Sequence, residues 1–211
     1  MVVLGLAAAG LLGSGPGADP SGSEIQAWAA ENQTTIATVV SLYAAQLFAF
    51  LIFFVGLRTV LRPGEPGDEP WSTLGLTGGI VLGAILAAQY VFPMPLAMGE
   101  TEITEPGIAR ALLDLTYGLQ SPWEVAVAVI LLGYSLAMRR SPRFPRWLIY
   151  LGFLGAAVAL VEGVAGIPTV RGFAEGSAVV LAGALLFPLW VLLTGIWLLR
   201  RPSTESKPAP A

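Results

Sequence analysis

The sequence predicts an all-α fold, a polytopic bundle of membrane-spanning helices, and three observations carry that prediction. Hydrophobic residues make up 55% of the 211 positions and charged residues only 12%, more apolar surface than one aqueous core can hide. The apolar residues come in runs of about 20, the number a helix rising ~1.5 Å per residue needs to cross ~30 Å of hydrocarbon. The arginines gather at the ends of those runs.

The first run, about residues 2–14, is short: Val2 to Leu12 reaches only ~16 Å as a helix. No basic residue precedes it and no small-x-small cleavage site follows a full-length apolar core. It therefore reads as a short first span, cut down by a misassigned start, and not as a cleaved signal peptide. In SGSEIQAWAAENQ, Ser21 and Glu24 can open a helix as a capping box, and Ile25, Trp28 and Ala29 share one face. That segment is expected to lie on the outer leaflet.

Residues 36–57, 73–92, 147–166 and 177–199 each suit one crossing. Residues 108–138 are too many for one simple crossing, and a break or kink is expected near 121–122. Six spans result, within a single domain of residues 1–201. The connections Arg62 to Pro70 and Ser141 to Pro145 are short and rich in Pro and Gly. They leave no room for a soluble catalytic domain, and residues 202–211 read as a disordered tail.

Nine of the eleven basic residues fall on one side of this arrangement: Arg58, Arg62, Arg139, Arg140, Arg143, Arg146, Arg200, Arg201 and Lys207. Only Arg110 and Arg171 fall on the other. By the positive-inside rule the crowded side is cytoplasmic and holds both termini. Trp71, Trp147 and Trp197 sit at that border and Trp123 at the opposite one, as amphipathic rings should. Trp190 lies deeper, with no border to explain it.

With no cysteine and no histidine, disulfides, thiol nucleophiles, soft-ligand zinc sites and histidine-ligated haem are excluded within this chain. No cofactor and no metal are expected. A net charge of −3 with no basic stripe gives no reason to expect nucleic acid as a partner. Hydrolase, zincin, phosphate-loop and dinucleotide motifs are all missing, so a non-enzymatic role is expected.

The polar residues inside or beside the spans are the candidates for function. Arg110, Asp114, Tyr117, Ser121 and Glu124 recur at helical spacing, with Gln120 beside them, and form a polar stripe. Two readings of Glu124 compete. In one it stands in the membrane as a proton or cation site at the floor of an outward-facing vestibule. In the other, which the pattern Ser121-Pro122-Trp123-Glu124 favours, it completes a capping box at a helix start near the outer interface. Arg110 and Asp114 then form an ion pair on a separate surface helix. Glu162 comes to a depth similar to that of Glu124. Pairing with Arg171 or Arg110, or reaching the interface where GVAGIP ends the helix, is its preferred reading, and sharing a proton or cation with Glu124 the sharper one.

Tyr43, Gln46 and Gln89 carry neutral polar groups at comparable levels. Interhelical hydrogen bonds explain them without function, and a polar cavity shared with Glu124 and Glu162 is the alternative. Gly75, Gly79 and Gly83 repeat every four residues, as do Gly155 and Gly163 with Ala159 between them. Such stripes admit close helix packing, expected here within the chain more than with a second copy.

PRWLIYLGFLGAAVAL (Pro145 to Leu160), LLTGIWLLRR (Leu192 to Arg201) and LLGSGPGADPSGSEIQAWAAEN (Leu11 to Asn32) together resemble a group of six-span integral membrane proteins of Actinobacteria that has no assigned activity. The resemblance implies a bacterial plasma-membrane address and adds nothing to mechanism; the shortened first span departs from the group. The leading expectation is a structural or accessory protein that packs with lipid, with another membrane protein or with itself. The rival is a small transporter or ligand-binding protein with an outward-facing polar cavity.

Overall fold

Five helices in the computed structural model are long and apolar enough to cross a membrane: Gln33–Gly64, Trp71–Gln89, Pro106–Arg140, Arg146–Val164 and Gly183–Arg200. The structure describes Leu11 and residues 19–67, 69–91, 105–165 and 178–200. The expected first span, Arg171 and the tail from residue 202 lie outside the described residues. Among those residues the regular structure is entirely helical. The helices are α1 (Gly22–Glu31), α2 (Gln33–Leu61), α3 (Trp71–Val91), α4 (Pro106–Gly118), α5 (Gln120–Arg140), α6 (Arg146–Ala165) and α7 (Ala178–Arg200), with a 3-10 turn at Arg62–Gly64.

The capping box that opens α1 forms as the sequence predicts. The Ser21 hydroxyl accepts from the Glu24 backbone N–H at 3.3 Å, and the Glu24 carboxylate accepts from the Ser21 N–H at 2.7 Å. Its apolar face, however, is covered by protein. Ile25 and Ala29 are buried against α4, whose Ala109 is buried in turn. Gly22 lies so close to the Pro106 carbonyl that a Cβ there would have no room.

The break in the long run falls at Leu119, not at Ser121–Pro122. Leu119 keeps helical dihedrals (φ −78°, ψ −7°), no side chain caps α5, and the backbone ladder runs through the junction. The Leu119 N–H donates to the Leu115 carbonyl at 3.2 Å, and the Trp123 N–H to the Leu119 carbonyl at 3.1 Å. Proline explains the position: Pro122 has no N–H to give and its ring crowds the carbonyl of Gly118, so the disturbance falls a turn before it. The capping box proposed for Ser121 and Glu124 is thus absent, and α4 and α5 follow one another through a one-residue break at Leu119.

α5 is the centre of the bundle. It packs on α3 and α6, with α2 against α3 and α7 against α6. Its residues Ala126, Val127, Ile130, Leu131, Tyr134, Ala137 and Met138 are buried nearly all round, as a central helix requires. Glycines set the approach distances. A Cβ on Gly75 would sit 2.7 Å from the Tyr134 ring and one on Gly78 3.0 Å from Ile130, so both face α5. Gly79 and Gly83 turn instead to Phe54 and Leu47 of α2. The predicted stripe therefore serves two neighbours, both in the same chain. Gly155 meets Leu131, and Gly163 meets Val125 and Ser121.

An aromatic ladder fills the middle of the bundle. Phe50 of α2 stacks on Phe54 (5.6 Å between centroids) and on Phe187 of α7 (5.8 Å), Phe54 stacks on Tyr134 of α5 (5.8 Å), and Tyr134 on Trp190 of α7 (6.4 Å). The Tyr134 hydroxyl donates to the Phe54 carbonyl at 2.8 Å, which satisfies a polar group that would be costly to bury alone. Trp190, unexplained as a border residue, belongs to this core.

The arginine-rich end is tied down by its two short connections. The Glu65 side chain, fully shielded from solvent, accepts from the Ser72 backbone N–H (2.6 Å) and hydroxyl (2.5 Å), and so satisfies the first turn of α3. Arg140 clamps Glu69 with two nitrogens at 2.9 and 2.6 Å, and the Trp71 indole donates to the same carboxylate. The Trp197 indole donates to the Arg143 carbonyl at 2.9 Å, which fastens α7 to the α5–α6 turn.

Candidate functional site

Glu124 and Glu162 flank the point where α5 crosses α6, at the end of the bundle opposite the arginine cluster. Gly163 makes the crossing possible: a Cβ on it would lie 3.1 Å from the Val125 nitrogen and 3.2 Å from the Ser121 carbonyl oxygen. The Ser121 hydroxyl donates to the Gly163 carbonyl at 2.5 Å. That carbonyl is in the last turn of α6, where helix carbonyls lack partners of their own, so the serine predicted to cap α5 instead caps its neighbour. With the crossing fixed at Ser121–Val125 and Gly163, the adjacent Glu124 and Glu162 come to one level.

Each carboxyl has a different environment. Glu124 is half-buried and accepts from the Gln120 amide at 2.8 Å, one turn back on the same helix. Glu162 points toward α7, onto Gly183; a Cβ on Gly183 would collide with the carboxyl. Its Oε1 is buried and has no hydrogen-bond partner among the described residues. The expected partner Arg110 is engaged elsewhere, on Asp114 (3.1 Å), on Asp19 (2.9 Å) and on the Pro20 carbonyl (2.8 Å). Arg110 is held in that network because α4 packs on the α1 end, away from the α5–α6 crossing.

Gln46 joins this level through the aromatic ladder. Phe50 and Phe187 stack, and Gln46 lies one turn before Phe50 on α2 as Gly183 lies one turn before Phe187 on α7. The two helices run in the same direction, so Gln46 reaches the height at which Glu162 meets Gly183. Its Oε1 is likewise buried and without a partner among the described residues. Two buried, unpartnered acceptor oxygens at one height are an arrangement that native interiors avoid.

The remaining candidates divide. Gln89 is 8% exposed and donates to the Thr116 carbonyl at 3.2 Å, an interhelical bond between α3 and α4 that keeps its amide away from the carboxyl pair. Tyr43 is half-buried on α2, one turn before Leu47, and has a partner of its own. Tyr117 lies in α4, its side chain outside the described residues. Ser135, Trp190 and Thr194 are fully buried with unpartnered polar atoms; Trp190 stood out in the sequence by its depth, whereas Ser135 and Thr194 did not, because lone hydroxyls in an apolar run carry no spacing signal.

No group of three or more acidic, histidine or cysteine side chains that could hold a metal ion occurs among the described residues. No protein-family model, curated protein or solved structure matches this chain. Its chemistry must therefore be read from the geometry: two carboxyls and an amide stand at a common height, one turn above the stacked rings of Phe50 and Phe187.

Proposed function

We propose that this chain is a small multi-pass membrane carrier that takes a proton or a monovalent cation onto Glu124 and Glu162, with Gln46 contributing an amide oxygen. The observation that supports it is the pair itself. Neither carboxyl is used as a helix cap, and neither is neutralised by a basic residue among the described ones. An ionisable side chain within a membrane segment is costly unless it has work to do. Two carboxyls at one level can share a proton or hold a cation between their oxygens, and the amide adds a neutral acceptor. The aromatic ladder below them would separate this site from the arginine-rich side. That side is read as cytoplasmic by the positive-inside rule, in a bacterial plasma membrane by the resemblance described above.

The test is flux in proteoliposomes holding the purified full chain, with a pH-sensitive dye inside and Na⁺ or K⁺ gradients imposed in turn. Proton or cation movement that falls to the empty-vesicle rate in both Glu124→Gln and Glu162→Gln supports the reading. Folded wild-type protein that moves none of the three ions sinks it.

One observation favours a second reading, a structural or accessory protein that packs with lipid or a membrane partner. The glycines of α3 and α6 are all engaged in close contacts inside the chain, as a rigid scaffold needs.

A further inference from the structure

A second polar cluster lies toward the arginine-rich end, where α5, α6 and α7 meet. Ser135, Trp190 and Thr194 are each 0% exposed, and the Ser135 hydroxyl, the Trp190 indole nitrogen and the Thr194 hydroxyl all lack a hydrogen-bond partner among the described residues. Ser135 and Trp190 converge on one point. A Cβ on Gly152 of α6 would collide with the Ser135 oxygen and sit 2.8 Å from the Trp190 nitrogen. Thr194 lies one turn further along the same face of α7 as Trp190.

Helical hydroxyls have an easy alternative to being orphaned, which is to donate to the carbonyl four residues back. Thr38, Ser41, Thr59, Thr77 and Thr116 all take it, at 2.8 to 3.0 Å. Ser135 and Thr194 do not, although both are buried more deeply than those five. The Ser135 hydroxyl instead lies at the point beside Gly152 that the Trp190 indole nitrogen also approaches. Leaving three such groups bare would forfeit the hydrogen bonds each makes to water in the unfolded chain.

We infer that Ser135, Trp190 and Thr194 hold one ordered water molecule beside Gly152, bridging α5 and α7 across α6. The chemistry fits a neutral, compact ligand. The indole can only donate and the two hydroxyls can do either, so a water accepts from Trp190 and exchanges hydrogen bonds with both hydroxyls. Three polar partners is the usual number for a buried water. Nothing charged is supplied by the three groups to balance an ion. The site stands on its own observations and survives the failure of the carboxyl proposal. If both hold, α5 carries two polar stations eleven residues apart, ~16 Å, with the apolar side chains of Ala128 and Leu131 between them.

The test uses the full-length protein in nanodiscs with ¹⁵N-labelled tryptophan, reading magnetisation transfer from water to each indole N–H; Trp190→Phe assigns the signal. The expected result is transfer to the Trp190 indole despite its complete burial. Ser135→Ala and Thr194→Val should each reduce that transfer several-fold, and Gly152→Ala, which fills the point of convergence, should abolish it. Should Gly152→Ala fail to fold, the two hydroxyl variants decide. A Trp190 indole that receives nothing while the half-exposed Trp147 does would overturn the proposal. Transfer unchanged in both hydroxyl variants would overturn it too, since water would then reach the indole by general opening of the bundle.

Discussion

Replacing Gly133 by alanine tests the account of helix packing most severely, because the space is denied by backbone. A Cβ at this position of α5 would fall on the Gly75 nitrogen of α3 and lie 2.9 Å from both the Gly75 Cα and the Trp71 carbonyl oxygen. Side chains can rotate out of such a contact, but main chain in the middle of a helix cannot. α3 and α5 must move apart, which loosens the contacts that Gly75 makes with Tyr134 and Gly78 with Ile130. Overpacking of this kind costs about 1–3 kcal/mol. Gly56 of α2 supplies the control, since a Cβ there meets nothing within 4 Å. Alanine at Gly56 should leave stability unchanged or raise it by up to ~1 kcal/mol through helix propensity. Reversible unfolding in mixed micelles, following helix content against denaturing detergent, measures both. If Gly133→Ala is as stable as Gly56→Ala, the α3–α5 interface is not packed as described.

Glu65→Ala removes the acceptor for two buried donors on Ser72 and should destabilise by about 1–3 kcal/mol in the same assay, whereas Ser72→Ala, which removes only one donor, should cost less. Tyr134→Phe keeps the stacked ring and deletes its bond to the Phe54 carbonyl, an expected loss of about 0.5–1.5 kcal/mol with no change in oligomeric state by light scattering. The Glu24 carboxyl is held below the usual carboxylate range by hydrogen bonds from the Ser21 backbone N–H and then its hydroxyl. A carboxylate with a depressed folded pKa contributes above its ordinary value and stops contributing as pH falls through the folded one. Hydrogen exchange at the start of α1, corrected for intrinsic rates, should therefore accelerate at acidic pH in the wild type and show no such step in Glu24→Gln.

Much of the bundle was legible because hydrophobic length and glycine spacing are local signals. The runs expected at 36–57, 73–92, 147–166 and 177–199 correspond to α2, α3, α6 and α7 with ends shifted by a few residues. The α1 capping box was legible because both of its partners lie within four residues of one another. Ser121-Pro122-Trp123-Glu124 carries the same local signature, yet there the tertiary contact won. Ser121 reached the Gly163 carbonyl, 42 residues away, and the helix kept its backbone ladder through the proline. A common depth for Glu124 and Glu162 could be counted from span borders, but that Gly183 gives Glu162 its place could not, because nothing local links the two residues. Gly133 and Gly152 stood off the four-residue stripes and were missed, although each lies at a closer helix contact than Gly83.

Cysteine accessibility can establish whether water reaches the carboxyl pair, and the chain has no native cysteine to confuse it. Single cysteines at Glu124, Glu162 and Gln46 would be treated in intact cells with a membrane-impermeant maleimide, which reacts only where water reaches the thiolate. A shared outward-facing site should label at all three, with labelling suppressed at Gln46 and Glu162 when Gly183 is also replaced by a bulkier residue. Labelling at Glu124 alone would contradict it, because Glu162 and Gln46 would then lie in a dry bundle with no shared site.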